Sequence, residues 1–378
     1  MKISLLLFFW ICWALNFSSR TIISPLLPVI EDELAISHAL AGSLFFFTAS
    51  GFTAANLFSG FLSYRIGYKK SIMLCFAVLT ASLFVMRYAA TYAGIVAVCL
   101  FIGVGGGIYV PNAMPLLTEI FRREHWGKVL AFHDSGASFS LLAVPLLVAL
   151  GLPFFHWRTF FLILASACFI ILGSVIAFVP DTRHQKHEKI RFLDIMGRGE
   201  FWIMIAIWLA ATSSIMGIYG ITPLFLVKEK GVALEMANTI FGLSRIGGFF
   251  AAVLGGFLAD RLGVKKILYF LLLVTGISTI GVAASQTFPL LISMLVIQAT
   301  FGTAFFPIGF LAISMLTPPN ERAAFTGAVV AIAVGLGSGL TPSLLGAVAD
   351  LWNFQVGILG VGILTTLSTL FLRRLKDI

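Results

Sequence analysis

Long apolar stretches alternate with short polar segments along almost the whole chain. Each stretch reaches the length of about 20 residues that an α-helix needs to cross the hydrocarbon core of a membrane. The pattern predicts spans at residues 4–28, 39–63, 71–92, 94–121, 129–153, 159–179, 201–226, 235–259, 266–285, 288–316, 324–349 and 353–372. It therefore predicts an all-α membrane protein with twelve transmembrane helices.

One polar segment is much longer than the others and divides the chain into two halves. It covers residues 180–200 and reads DTRHQKHEKIRFLDIMGRGE from residue 181 onward. Six predicted spans lie before it, in residues 1–179, and six lie after it, in residues 201–378. The sequence therefore predicts an N-terminal six-helix bundle, a linker and a C-terminal six-helix bundle.

Composition indicates the class of protein, and the distribution of charge indicates its orientation in the membrane. Hydrophobic residues make up 59% of the chain and charged residues only 11%, against about 25% charged in soluble domains, which excludes an ordinary soluble enzyme. The formal net charge of +9 indicates topology, because Lys and Arg are enriched in cytoplasmic loops. Nineteen of the 25 Lys and Arg residues lie on one predicted side, with both termini and the linker. We therefore predict a multi-pass protein of the cell inner membrane with cytoplasmic termini, in contact with lipid and not with nucleic acid.

The two halves repeat each other at a fixed distance. The loop sequence GFLSYRIGYKK at residues 60–70 returns 196 positions later as GFLADRLGVKK at residues 256–266. The segments GVGGGIYVP, ending at Pro111, and FGTAFFP, ending at Pro307, have the same separation. Internal repetition of this kind is typical of transporters built from two similar bundles.

This repeated loop resembles the signature between spans two and three of the major facilitator superfamily. The resemblance implies the major facilitator fold, with two pseudo-symmetric six-helix bundles, and a loop that gates alternating access. Tyr64 stands where the family usually has Asp in the first copy, so the acid occurs only in the second copy. The gating residues that we expect are Arg65, Lys69, Lys70, Asp260, Arg261, Lys265 and Lys266.

Two arginines interrupt the apolar spans. A charged side chain near the bilayer centre costs about 2.5 to 3.5 kcal/mol on insertion scales, so it usually faces a cavity or a partner. Arg20 lies in the first span, in a segment that resembles the organic-anion branch of the same superfamily, where an arginine contacts a substrate carboxylate. Arg245 lies in the eighth span, beside Gly247 and Gly248. Snorkelling or a structural pair is the alternative for Arg20.

One arginine from each half predicts a bipartite site for a small anion, because a guanidinium binds carboxylate, sulfonate or phosphate through paired hydrogen bonds. Other polar residues in the spans are candidates for lining the same site. For each of them, hydrogen bonding between helices is the alternative. These candidates are Asn16, Tyr109, Asn112, Tyr219 and Gln298.

Asp134 is the one carboxylate predicted well inside a span, and His133 precedes it. Such a group can carry a proton when its environment changes its proton affinity. Proton coupling through Asp134 and His133 is therefore one hypothesis. Helix capping, a hydrogen bond between helices and pairing with Arg20 are the alternatives, and adjacent helix positions point about 100° apart.

The sequence predicts a monomeric secondary active transporter that moves a small organic anion by alternating access, with a proton or another ion as a candidate co-substrate. No catalytic group, metal site or cofactor is predicted. An anion exchanger without proton coupling and a multidrug or metabolite exporter remain alternatives. A non-transporting membrane receptor is the alternative from another class, and solute flux would separate it from a transporter.

Overall fold

The computed structural model describes residues 3–180, 195–248, 250–251, 261–318 and 321–375. Every regular element in these ranges is helical. Eleven helical segments are long and apolar enough to cross a membrane, by length and composition. The all-helical class is confirmed. The predicted span at residues 235–259 is described only in part, so the twelfth helix stays a prediction.

The helix bounds follow the predicted spans closely in the N-terminal half. The largest differences are at the first span, which continues as one helical segment from Ile3 to Leu34, and at the third, which covers Tyr68–Met86. The helices in this half are α1 (Ile3–Thr21), α2 (Ile23–Leu34), α3 (His38–Ile66), α4 (Tyr68–Met86), α5 (Tyr92–Ile120), α6 (Trp126–Gly151) and α7 (Trp157–Phe178).

The C-terminal half contains two π-helical turns, at Ser213–Gly217 and Gly335–Leu340, which the sequence pattern did not predict. Each turn lies within a longer span, between two α-helices. The helices in this half are α8 (Gly199–Thr212), α9 (Ile218–Lys228), α10 (Leu234–Leu243), α11 (Val264–Ala284), α12 (Phe288–Leu316), α13 (Arg322–Val334), α14 (Thr341–Leu351) and α15 (Phe354–Leu372).

Packing divides the chain into two compact units. The first unit contains Met1–Leu34 and Phe47–His187, and the second contains Ala35–Phe46 and Glu188–Ile378. The start of α3 therefore packs with the second unit.

The helix bounds show the same internal repeat as the sequence. Helix α5 (Tyr92–Ile120) and helix α12 (Phe288–Leu316) begin and end at positions with the 196-residue offset. The glycines that precede α4 and α11 also correspond, with φ of 84° at Gly67 and 90° at Gly263. Side chains disfavour positive φ, so both copies of the loop use glycine for the same tight turn. The repeated loop sequence therefore corresponds to a repeated turn in the structure.

Glycines bring α3 and α5 into direct contact in the first unit. A Cβ atom at Gly103 or Gly107 would collide with the backbone carbonyl oxygen of Thr48 or Phe52, respectively. Small residues at such positions allow helix backbones to approach closely. The GVGGG segment therefore serves close helix packing, as its apolar surroundings in the sequence indicate.

In the second unit, Asp350 of α14 holds the start of α3. Its two carboxylate oxygens accept hydrogen bonds from the backbone N–H groups of His38 and Ala39, each at 2.9 Å. These N–H groups are at the N-terminus of a helix, where a carboxylate is also favoured by the helix dipole. Gly346 packs against the His38 carbonyl and allows this approach.

Replacing Asp350 with alanine is expected to destabilise the protein by about 1 to 2 kcal/mol, the usual effect of removing a helix cap. Asp350→Asn should lose less stability, because the amide keeps one acceptor oxygen. Thermal unfolding of the purified protein in detergent measures both changes. Equal melting temperatures for wild type and both variants would contradict this role.

Candidate functional site

Arg245 lies at an interruption in the predicted eighth span. Helix α10 ends at Leu243, and the next residues form a tight turn in which the Arg245 N–H donates to the Gly242 carbonyl at 3.0 Å. The Gly248 N–H donates to the Arg245 carbonyl at 3.2 Å. Gly247 and Gly248 have low helix propensity and pack closely against Thr300 and Thr303 of α12. The predicted helix is therefore interrupted at Ser244 and Arg245 and resumes at Ile246.

The Arg245 guanidinium is buried without a polar partner in the described part of the chain. The residue is 4% exposed, and Nε, Nη1 and Nη2 make no hydrogen bond. Its central carbon lies 5.1 Å from the Tyr219 ring centre and 5.2 Å from the Phe241 ring centre. Aromatic rings stabilise a cation by about 0.5 to 2 kcal/mol but accept none of its five N–H groups in the guanidinium plane. The N–H groups at the edge of the Arg245 guanidinium are therefore still able to bind an anion.

Arg20 has a similar aromatic setting in the first unit. The residue is half-buried at the end of α1, and its Nε is buried without a partner. Its guanidinium carbon lies 4.9 Å from the Phe17 ring centre and 4.4 Å from the Phe52 ring centre. Gly106 of α5 makes room for the side chain, because a Cβ atom there would be 2.7 Å from Cδ of Arg20. Among the described residues, no carboxylate forms an ion pair with Arg20.

A stack of three rings lies next to Phe17. Trp13 is 5.5 Å from Phe17 and stacks on both Tyr109 and His133, at ring-centre distances of 5.6 and 5.8 Å. The Tyr109 hydroxyl donates to the Phe9 carbonyl at 3.1 Å and lies 3.2 Å from Nε2 of His133. Since that hydroxyl has a single hydrogen, Nε2 of His133 must be the donor in the second contact.

His133 and Asp134, adjacent in α6, differ in exposure, although both lie beside Trp13. His133 is fully buried in the ring stack, and its Nδ1 has no hydrogen-bond partner. A charged imidazole would leave a buried N–H unsatisfied, so this geometry favours the neutral ring. Asp134 is exposed and lies next to the Trp13 indole. Proton coupling through these two residues stays a prediction.

Three of the polar candidates bond to neighbouring helices. The Asn16 amide donates to Sγ of Cys75 at 3.4 Å, and the Asn112 amide donates to Oγ of Ser59 at 2.7 Å. The Gln298 amide donates to the Ser214 carbonyl in the first π-helical turn. These bonds, like the bond from the Tyr109 hydroxyl to the Phe9 carbonyl of α1, fit the helix-packing alternative, whereas Tyr219 contacts Arg245. Their part in substrate binding remains a prediction.

The candidate gating residues lie at the two equivalent turns. Arg65, Lys70, Arg261 and Lys266 are exposed, and Lys69 is half-buried. Lys265 donates from Nζ to the Leu375 carbonyl at 2.7 Å, which ties the second turn to the end of α15. Asp260 lies outside the described residues. The gating assignment therefore stays a prediction.

Sequence reasoning named Tyr219 as a candidate but missed the phenylalanines that contact the arginines. Phe17 precedes Arg20 by three positions and Phe241 precedes Arg245 by four, the spacings at which helix side chains meet. That local signal was available in the sequence. Phe52 belongs to another helix, so its contact with Arg20 depends on how α1 and α3 pack.

Two similar proteins are bacterial transporters of organic acids by name. The 4-hydroxybenzoate transporter PcaK of Acinetobacter baylyi is 20% identical over 72% of this chain and 68% of its own length. The probable galactarate/D-glucarate transporter GarP of Escherichia coli K12 is 24% identical over 95% of this chain and 90% of its own length.

Solved structures and the family comparison agree on the fold. A crystal structure of a D-xylose-proton symporter superposes with a TM-score of 0.85 at 17% identity, covering 98% of this chain and 97% of the symporter. The sequence model of the Major Facilitator Superfamily matches residues 9–255 and 203–377. With that coverage and the repeated turns described above, the chain belongs to the Major Facilitator Superfamily of transporters.

Proposed function

We propose that the protein is a secondary active transporter that moves a small organic anion across the cytoplasmic membrane by alternating access. The observation that carries this proposal is the Arg245 guanidinium, which is buried and makes no hydrogen bond or ion pair within the described residues. A buried cation without a counter-charge is costly, so its site favours an anion. A carboxylate matches the planar fork with two parallel hydrogen bonds.

The similar proteins support a carboxylate as the recognised group. By their names, they carry 4-hydroxybenzoate in one case and galactarate or D-glucarate in the other. These compounds differ in ring, length and hydroxyl pattern but share a carboxylate. Arg20, with rings near its guanidinium, is the second candidate for binding it. Each repeat therefore contains one candidate arginine.

Flux measurements test this function directly. The purified protein in liposomes should take up labelled 4-hydroxybenzoate or D-glucarate with saturation, and unlabelled anion inside the vesicles should accelerate that uptake by exchange. Empty liposomes are the control. Saturable binding without flux would favour a receptor, and flux of an organic cation without flux of either anion would favour a drug exporter. Either result would contradict the proposal.

We propose Asp134 as the residue that couples transport to protons. If its carboxylate binds and releases a proton in each cycle, Asp134→Asn should abolish accumulation driven by a pH gradient and retain exchange of labelled for unlabelled anion. Exchange requires no net proton movement. Asp134→Glu, which keeps the carboxylate, should retain part of the driven uptake.

Uptake with an imposed pH gradient and counterflow without one are the two measurements. Driven accumulation at the wild-type level in Asp134→Asn would show that Asp134 is not the carrier. An anion exchanger without proton coupling would show no response to the gradient in any variant.

A further inference from the structure

A second group of charged side chains lies in the first unit, away from Arg20. Glu33, near the end of α2, forms an ion pair with Arg158 at the start of α7. The Trp157 indole N–H donates to the same carboxylate at 2.5 Å, and the Arg158 Nη2 donates to the Ala89 carbonyl at 2.9 Å. The Arg158 side chain is only 9% exposed. These contacts fix a buried cation between the ends of three helices.

A cavity of about 450 Å³ opens beside this ion pair. The cavity is open at the surface and has room for a small carboxylate. We call it the outer pocket, and it is lined by Glu33, Arg87, Tyr88, Ala90, His156 and Arg158.

The charge of the outer pocket favours an anion. Glu33 balances Arg158, and Arg87 forms no ion pair with any described residue. His156 Nδ1 accepts from the Arg158 N–H at 3.3 Å, and Nε2 lies 3.7 Å from the Glu33 carboxylate. Arg87 therefore supplies a net positive charge with donors that face an open cavity.

The position of the pocket adds a second reason. With both termini in the cytoplasm, the chain segments near Glu33, Arg87 and His156 lie at the external end of the bundle. Lys and Arg are depleted from that side of membrane proteins. Four cations are predicted on the external side. Arg87 and Arg158 line one pocket, while Lys228 and Lys230 lie in the second unit. Two arginines in one pocket on a side that is poor in cations indicate a local function.

We propose that the outer pocket is a second, weaker binding site for the carboxylate of the transported anion. This inference rests on the proposed function, because it assigns the same class of ligand. Glu33 and Arg20 belong to one helical segment and are 13 residues apart, so the outer pocket lies about 20 Å along that segment from Arg20. An anion held there has a raised concentration at the external end of the first unit. The outer pocket is thus separate from the Arg20 site.

Equilibrium dialysis of labelled 4-hydroxybenzoate against the purified full-length protein tests this proposal. Wild type should show two classes of saturable sites. Arg87→Gln should weaken the weaker class by about fivefold, as expected for one exposed charge contact, and leave the tighter class unchanged. Lys230→Gln removes a predicted external cation outside the pocket and is the matched control, with both classes expected at wild-type affinity. Arg87 is exposed, so its variant should remain folded and monodisperse.

Arg245→Gln separates this proposal from the proposed function. It should remove the tighter class and leave the weaker class in place. A single class in wild type with both 4-hydroxybenzoate and D-glucarate, or an unchanged weaker class in Arg87→Gln, would overturn the outer pocket. Two unchanged classes in Arg245→Gln would overturn the arginine site instead. No saturable binding of either anion to wild type would overturn both.

Discussion

Arg245→Met is expected to make the ligand-free protein more stable while removing its stabilisation by anions. The side chain is 4% exposed and its charge has no hydrogen-bond partner among the described residues. Methionine has a similar length, fills the space between Tyr219 and Phe241, and removes the cost of a buried charge. We expect a net gain of about 1 to 3 kcal/mol after the lost cation–π contacts are subtracted. Loss of function and gain of stability in one variant is typical of a binding residue.

Melting curves with and without 4-hydroxybenzoate measure both effects, because a ligand that binds the folded state raises the melting temperature. Arg245→Lys should keep the charge and bind weakly, since an ammonium group lacks the planar fork. Arg374→Gln is the control, because it removes an exposed arginine in the same unit. A less stable Arg245→Met variant, or one that still responds to the anion, would contradict the binding role.

The fold was largely predictable because the membrane imposes a strong pattern. Each span must be apolar over about 20 residues, so hydropathy alone places most helices within a few positions. The repeat at an offset of 196 residues also corresponds to the matching turns at Gly67 and Gly263. The extension of the first span to Leu34 was missed because Glu31, Asp32 and Glu33 give its end a polar sequence.

The candidate site was predictable only in part. Arg20 and Arg245 were identifiable because charge within an apolar span is costly, which makes such residues rare. Their contacts with Phe52 and Tyr219 depend on packing between helices, which a single sequence does not reveal. The ion pair of Glu33 with Arg158 joins residues 125 positions apart. It was missed for the same reason, although both residues lie at predicted span ends.

The π-helical turns show another limit of the sequence pattern. The turn at Ser213–Gly217 inserts extra backbone within a span, and Gln298 donates to its Ser214 carbonyl. Such insertions change hydrogen bonding without changing the apolar character of the residues. Hydropathy therefore predicts the span but not the turn.

Three glycine substitutions are expected to separate folding from anion binding in the first unit. Gly106→Ala places a Cβ atom 2.7 Å from Cδ of Arg20 and 3.0 Å from its Nε. The flexible arginine side chain can move, so the protein should fold, but the guanidinium would shift from its position beside Phe52. We expect anion affinity to fall by about tenfold, because paired hydrogen bonds require correct geometry.

Gly103→Ala, three residues earlier on the same helix, should act on folding instead. Its Cβ atom would meet the backbone carbonyl oxygen of Thr48, which cannot move without displacing α3. We expect destabilisation by about 1 to 3 kcal/mol, the usual result of overpacking. Gly173→Ala is the matched control, because nothing lies within 4 Å of the added atom. Melting temperature and 4-hydroxybenzoate affinity should therefore change independently across the three variants. If Gly106→Ala bound the anion with wild-type affinity, Arg20 would not be a ligand in the position that the structure gives it.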